Sequence, residues 1–315
     1  MSDLSAASPL KIGTRGSPLA LAQAHETRAR LMTAHDLPQE AFEIVVIKTT
    51  GDRILNRPLK EIGGKGLFTR EIEDDLLAGR IDIAVHSMKD MPTLQPDGLV
   101  LDCYLPREDV RDAFVSLGEH TLATLPHGAR VGTSSLRRRA QLLSYRSDFE
   151  VVEFRGNVQT RLKKLGDGVA LCTFLAMAGL RRLALDDVPK SPLAPEDMLP
   201  AVAQGAIGIE RRAEDAATAA LLTPIHDGET GKRLAAERSF LKTLDGSCET
   251  PIAALADLDG QTLRLRGEIL RPDGSERIAD EISGPVSDGP RLGATLAEGL
   301  LSRAAPGFFD WRETA

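Results

Sequence analysis

With 315 residues the chain exceeds what one hydrophobic core ordinarily serves, so two or three domains are expected. Aromatic residues make up only 4% and the net charge is −7, which argues against a dedicated nucleic-acid binder and leaves any anion site to local clusters of Arg and Lys. Cys103, Cys172 and Cys248 are an odd number without C-x-x-C spacing; this argues against a disulfide framework or a structural zinc site, predicts no metal, and points to the reducing cytoplasm. The start Met1-Ser2-Asp3-Leu4-Ser5 lacks a basic and then apolar leader, and no apolar run approaches the roughly 18 residues of a span, so no membrane association is expected.

In chain order, Leu10-Lys11-Ile12 reads as a strand, Pro18 to Met32 as a helix, Phe42 to Lys48 as a strand, Leu67 to Leu77 as a helix and Ile81 to Val85 as a strand. Such alternation predicts an α/β sheet covered by helices. After Pro106 the rhythm resumes, with strands at Asp112-Ala113-Phe114-Val115 and Ala129-Arg130-Val131, a helix from Ser135 to Tyr145, and further alternation to Leu185. Lys190 to Pro200 is Pro-rich, has no period and reads as a connection; Ala201 to Arg212 carries Gly205 and Gly208 in an apolar context. From Asp227 the pattern becomes a helix (Lys232 to Leu244), alternation at Thr262-Leu263-Arg264-Leu265-Arg266, a hairpin-like Pro272-Asp273-Gly274-Ser275 and a last helix near Arg291 to Ser302, which together predict a smaller α+β domain.

The two α/β stretches echo one another. Ile12-Gly13-Thr14 leads through Ser17-Pro18-Leu19 into a helix, and Val131-Gly132-Thr133 leads through Ser134-Ser135-Leu136 into another. Small hydroxyl residues at a helix start serve as N-caps, and the same place attracts anions, because unpaired N–H groups and the positive end of the helix dipole converge there. Two such starts in like units predict anion sites facing across a cleft.

Basic groupings stand near these starts: Arg15 beside Ser17, Lys65 within Gly63-Gly64-Lys65-Gly66, Arg137-Arg138-Arg139 after Ser135, and Arg155 with Arg161 around Gly156-Asn157. Arg bonds carboxylates through two N–H groups at once, so the set suits a ligand with several carboxylates. A nucleotide fits poorly, since no Walker-type phosphate loop is present. His86-Ser87-Met88-Lys89-Asp90 follows an apolar strand, and ligands of open α/β sheets bind at strand C-termini. A carboxylate at Asp90 could accept N–H donors and stabilise a developing cation. Cys248 lies in a Gly-containing loop, Leu244-Asp245-Gly246-Ser247-Cys248, whereas Cys103 and Cys172 are flanked by apolar residues; the loop thiol is the better candidate for covalent chemistry.

Taken in order, these segments resemble the porphobilinogen deaminase family. The resemblance is carried by Ile12-Gly13-Thr14-Arg15-Gly16-Ser17-Pro18-Leu19-Ala20, Gly63 to Phe68, His86 to Asp90, Arg107-Glu108-Asp109, Gly132 to Arg138, Arg155-Gly156-Asn157, Leu175 to Leu180, Gln204-Gly205-Ala206 and the Gly246-Ser247-Cys248 loop. It implies two periplasmic-binding-protein-like α/β domains around a cleft, residues 1–105 with 200–224 and residues 106–199, followed by a smaller C-terminal α+β domain, 225–315. It also implies stepwise deamination and head-to-tail condensation of four porphobilinogen molecules into the linear hydroxymethylbilane, primed on a dipyrromethane joined by a thioether to Cys248.

By the same resemblance Asp90 is the catalytic carboxylate. Lys89, Asp90, Thr133, Ser135, Arg137, Arg138 and Arg161 hold the cofactor, Arg15, Ser17, Arg155 and Arg182 hold substrate or the growing chain, and Lys65 belongs to a loop that covers the cleft. A monomer is the family expectation. The sequence departs from the family pattern at Leu171-Cys172-Thr173, where an acidic residue followed by Ala is common, and at Ala203, where Gly is usual. The competing expectation is a non-catalytic, two-lobed carboxylate-binding protein, for which a covalently loaded Cys248 would have no use.

Overall fold

The computed structural model describes residues 4–5, 7–53, 69–244, 246 and 250–310. The chain divides into two compact units, Met1–Glu108 with Gly205–Gly231 and Asp109–Gln204 with Lys232–Ala315.

In the first unit, β1 (Leu10–Arg15), α1 (Pro18–His35) and β2 (Phe42–Ile47) are followed by α2 (Arg70–Leu77), β3 (Ile83–Ser87) and β4 (Leu99–Tyr104). The chain returns later with β10 (Ile207–Arg212) and α6 (Ala216–Leu222). The sheet order is β2-β1-β3-β10-β4, with β1 parallel to β2 and β3, and β10 antiparallel to both of its neighbours. Helix α1 starts at Pro18, whose missing N–H costs nothing in a first turn, and its Ser17 cap accepts a bond from the Ala20 N–H at 3.2 Å. Ala24 and Leu31 of α1 share one core with Ile12, Phe42, Val85, Cys103 and Ile207 from the sheet.

The second unit holds β5 (Asp112–Ser116), β6 (Arg130–Gly132), α3 (Leu136–Tyr145), β7 (Glu150–Val152), α4 (Val158–Gly166), β8 (Cys172–Ala176), α5 (Met177–Arg182) and β9 (Lys190–Pro192). Its sheet order, β7-β6-β8-β5-β9, reproduces the first: three parallel strands, one antiparallel strand, then an edge strand in the original sense. The echo between Ile12-Gly13-Thr14 and Val131-Gly132-Thr133 is therefore topological, since β1 and β6 are the second strands of matching sheets. Both glycines answer the same steric demand. A Cβ on Gly13 would stand 2.3 Å from Ile81 Cδ1, and one on Gly132 would stand 2.5 Å from the Phe154 ring.

The same unit contains a three-stranded antiparallel sheet, β11 (Ile252–Asp259), β12 (Thr262–Leu270) and β13 (Arg277–Pro285), with α8 (Gly289–Arg303) and, from Lys232 onward, α7 (Gly228–Thr243). Helices α7 and α8 approach closely because Gly293 has no side chain, and a Cβ there would lie 2.3 Å from the Ala236 carbonyl oxygen. The hairpin-like segment turns between β12 and β13, Asp273 accepting bonds from the Ser275 N–H and hydroxyl. One expectation needs correction: the stretch from Lys190 is not wholly a connection, because β9 pairs with β5 from Val115↔Lys190 to Ala113↔Pro192. A three-residue strand shows no period, and Pro192 is tolerated because β9 is at the sheet edge. The expected strand at Ile81 to Val85 lies two residues later, at Ile83–Ser87, and the segment at Ala201 to Arg212 resolves into β10 only from Ile207.

Candidate active site

In the first unit the C-terminal ends of β1 and β3 deliver the sequence-expected residues to one cleft. Arg15 ends β1, Ser17 caps α1, and β3 runs into a 3-10 turn, Met88–Asp90. The cleft is lined by Arg15, Ser17, Gln23, Thr69, His86, Ser87 and Asp90 among others, and encloses about 450 Å³ including its open mouth. Asp90 is exposed, and its carboxylate takes no hydrogen bond among the described residues, so both oxygens remain available to N–H donors. Ser87 is held by Gln23, whose Nε2 donates to its hydroxyl at 2.8 Å and whose Oε1 accepts from it at 3.0 Å. The first turn of α1 contains no acidic residue, so its amide groups and Arg15 favour an anion together. Lys89, half-buried, sits in the turn beside Asp90.

In the second unit the parallel strands again end in polar turns. Gly132 passes into Thr133, Ser134 and Ser135. The Thr133 Oγ1 accepts from the Ser135 N–H at 3.2 Å, and the Ser135 hydroxyl caps α3 by accepting from the Arg138 N–H. After β7, Arg155 and Gly156 precede Asn157, the cap of α4, and the Arg161 Nε donates to the Gly156 carbonyl at 2.9 Å. Neither α3 nor α4 has an acidic residue in its first turn. Thr133, Ser135, Arg155 and Arg161 thus share one edge of the sheet, while Arg182 stands half-buried at the end of α5, after β8.

Arg137 and Arg138 are placed differently from the rest. Both are 4% exposed and turn onto Asp112 of β5, the Arg137 Nη2 at 2.7 Å from Oδ2 and the Arg138 Nη2 at 2.7 Å from Oδ1. Arg137 Nη1 also bonds Gln141 Oε1 and the Leu199 carbonyl, and Arg138 Nη1 bonds the Phe174 carbonyl at 2.6 Å. Each guanidinium keeps one buried N–H, at Nε, without a partner. Burial alone would raise the Asp112 carboxyl, but the two guanidinium charges outweigh it and hold the group far below the ordinary carboxylate range.

Cys103 and Cys172 are buried, and desolvation pushes both thiols up to about 12, so neither supplies a thiolate near neutral pH. Thr173, in the segment that departs from the family pattern, donates to the Gly132 carbonyl at 2.8 Å, and Cys172 packs in the core with Phe114 and Phe174. Lys65 and Cys248 lie outside the described residues. Sequence reasoning did not pick out Gln23, Asp112, Glu73 or Glu210. Asp112 could have been noticed as the charge that opens the apolar run Ala113-Phe114-Val115, and Glu210 as the charge that follows Ile207-Gly208-Ile209.

Two family profiles match the chain: "Porphobilinogen deaminase, dipyromethane cofactor binding domain" over residues 10–220 and "Porphobilinogen deaminase, C-terminal domain" over residues 232–302. The chain belongs to the porphobilinogen deaminase family. It is 69% identical over 303 residues to the porphobilinogen deaminase of Paracoccus denitrificans, covering 96% of this chain and 97% of that protein. It is 54% identical over 308 residues to the chloroplastic porphobilinogen deaminase of Pisum sativum, covering 96% and 83%. Among solved structures it is similar to the ligand-binding component of an ABC-type import system from Staphylococcus aureus, with TM-score 0.38 and 14% identity over 76% of this chain and 75% of that one. As a porphobilinogen deaminase the chain is a transferase of tetrapyrrole biosynthesis that acts on porphobilinogen and carries a dipyrromethane cofactor.

Proposed function

We propose that Asp90 is the catalytic carboxylate of this hydroxymethylbilane synthase reaction, a reading carried by its exposed, unbonded carboxylate in the cleft shared with Arg15 and Ser17. There it accepts pyrrole N–H donors and stabilises the positive charge that develops when ammonia leaves the substrate's aminomethyl group. Arg15 and Ser17, with the α1 N-terminus, and Arg155 and Arg182 bind the acetate and propionate groups of the incoming porphobilinogen or of the lengthening chain. Porphobilinogen carries several carboxylates, and bidentate Arg contacts recognise their shape as well as their charge.

The donor set of the second unit fits a dipyrromethane. Thr133, Ser135, Arg161 and two helix N-termini without acidic residues offer hydrogen bonds to carboxylates, and the unclaimed Nε–H groups of Arg137 and Arg138 add two charge-assisted donors. Lys89 and Asp90 complete the cofactor-holding set. When bound, the cofactor supplies the free pyrrole α-carbon to which the first substrate is joined. Cys248 is the attachment residue; with Cys103 and Cys172 buried and held as thiols, it is the remaining cysteine.

The domain organisation we infer is 1–105 with 200–224, 106–199 and 225–315, in a monomer of the cytoplasm that engages neither nucleic acid nor membrane. No helix among the described residues is long and apolar enough to cross a bilayer. Intact-protein mass under denaturing conditions tests the attachment, comparing the wild type with Cys248→Ser after expression in cells that make porphobilinogen. The wild type is expected to carry the added mass of a dipyrromethane and the variant its polypeptide mass alone. Added mass on the variant would refute Cys248 as the attachment point.

A further inference from the structure

Within the second unit, the three-stranded sheet is joined to α3 by a line of polar contacts that ends on Arg137. Glu268, in the middle strand β12, is fully buried. Its Oε2 accepts from the Arg277 Nε at 2.6 Å; Arg277 starts β13 two residues before Ala279, the register partner of Glu268, and its side chain is half-exposed. The other oxygen, Oε1, accepts from the Nε2 of Gln141 in α3. The same Nε2 donates to the Leu199 carbonyl at 2.9 Å, and the Gln141 Oε1 accepts from the Arg137 Nη1 at 2.8 Å. Packing seats the sheet in the same place. Leu199 shares a core with Ala253 and Leu255 of β11, and Gly274, in the turn between β12 and β13, comes so near the end of α3 that a Cβ would lie 2.4 Å from the Ser144 nitrogen.

A buried ion pair adds little net stability over well-packed apolar side chains, so stability alone does not account for a carboxylate at Glu268. What it supplies is direction. An amide has a donor end and an acceptor end. Turned over, Gln141 would set its NH2 group against the Arg137 guanidinium and its oxygen against two acceptors, Glu268 Oε1 and the Leu199 carbonyl. That carbonyl is already shared with the Arg137 Nη1 at 3.0 Å, so Glu268 is the acceptor that Gln141 has to itself. With the amide fixed, Arg137 is engaged at both terminal nitrogens, Nη1 by Gln141 and Leu199 and Nη2 by Asp112, and Nε is the buried donor left over.

We infer that Glu268 is a positioning residue for the dipyrromethane: through Gln141 it holds the Arg137 guanidinium so that the unclaimed Nε–H meets a cofactor carboxylate. The role rests on the reading that Arg137 holds the cofactor. Charge balance supports it. Among the described residues three guanidinium groups, Arg137, Arg138 and Arg277, face two carboxylates, Asp112 and Glu268, and the positive charge in excess favours an anionic group.

The test follows cofactor loading rather than turnover. Wild type and variants are made in cells that form no porphobilinogen and are then incubated with it. Intact-protein mass follows the gain of a dipyrromethane, while circular dichroism and Tm record folding. Glu268→Met removes the carboxylate at similar length and leaves the half-exposed Arg277 to water. Gln141→Met breaks the link but keeps the Glu268 and Arg277 pair. Each is expected to fold and to load about tenfold more slowly than wild type, as for one misplaced charge-assisted bond. The double variant is expected to load no more slowly than the slower single one, because the two side chains act in series.

A residue that only stabilised the fold would lower Tm and leave the loading rate of the folded protein unchanged. Folded Glu268→Met protein that loads within about twofold of wild type would therefore overturn the inference, as would single effects that multiply in the double variant. If Glu268→Met does not fold, Gln141→Met decides by the same limit. Arg137→Lys keeps the charge toward Asp112 and has no donor at the Nε position. Slow loading by Arg137→Lys with normal loading by Glu268→Met keeps Arg137 as a cofactor residue and removes the role of Glu268. Normal loading by Arg137→Lys, or a wild type that gains no mass, removes both.

Discussion

Replacing Asp112 by Asn is the sharpest single perturbation of the second unit. The carboxylate is fully buried, and its two oxygens are shared by Arg137, Arg138 and the Gln204 Nε2 at 2.7, 2.7 and 3.0 Å. Asn keeps the shape but removes the negative charge and turns an NH2 group toward a guanidinium, leaving two buried cations uncompensated. Breaking a buried pair in this way costs about 3–5 kcal/mol. For a cooperative unit of this size that lowers the Tm by about 6–20 °C. Thermal and urea unfolding of the full chain measure it directly.

The pH dependence has a definite sign. The folded-state pKa of Asp112 lies below its unfolded value of 3.8, so its stabilisation is fully present above that value and fades as pH falls through the folded one. The gap between wild type and Asp112→Asn should therefore be constant near neutrality and narrow below about pH 4. A loss under about 1 kcal/mol, or a gap that widens in acid, would refute the assignment of Asp112 as the anchor of the two arginines.

Two further outcomes are expected. Ala203 has φ +60°, a left-handed conformation that costs a residue with a Cβ about 1–2 kcal/mol, and its N–H is fixed by the buried Glu237 Oε2 at 2.7 Å. Ala203→Gly should raise stability by about 1 kcal/mol in urea unfolding; a decrease would show that the site tolerates Ala without strain. Cys103 and Cys172, with thiols pushed up to about 12, should resist alkylation by iodoacetamide at neutral pH in the native Cys248→Ser protein and react on unfolding. Rapid native labelling of either, read by peptide mass, would contradict their burial.

Much of the fold was legible because its elements carry strong periods and capped starts. Pro18 after Ser17, and Leu136 after Ser135, mark helices that the structure begins at those residues. The loops at strand ends, where Arg15, Ser17, Asp90, Thr133 and Arg155 lie, were legible for the same reason. The strand order was not: β10 is inserted between β3 and β4, far away in sequence, and no local pattern announces that pairing.

Buried charge was the other hidden feature. Arg137 and Arg138 read as part of a basic helix start, yet their partner Asp112 is 25 and 26 residues away, and His86 finds Glu210 at a separation of 124. A charge in a sequence predicts a solvated face unless its partner is known, and the fold alone supplies the partner. The departure at Ala203 was visible in the sequence as a missing Gly, but its physical content, a positive φ, belongs to the backbone.

The most direct test of the account is steady-state formation of hydroxymethylbilane from porphobilinogen by wild type and Asp90→Asn, each shown by intact mass to carry its cofactor. Asn keeps the size and one acceptor oxygen but not the charge that stabilises the developing cation. Turnover by the loaded variant is predicted to fall by about 10²–10³-fold or more with its fold intact by circular dichroism. A loaded, folded Asp90→Asn enzyme that turns over within about tenfold of wild type would contradict the assignment of Asp90 as the catalytic carboxylate.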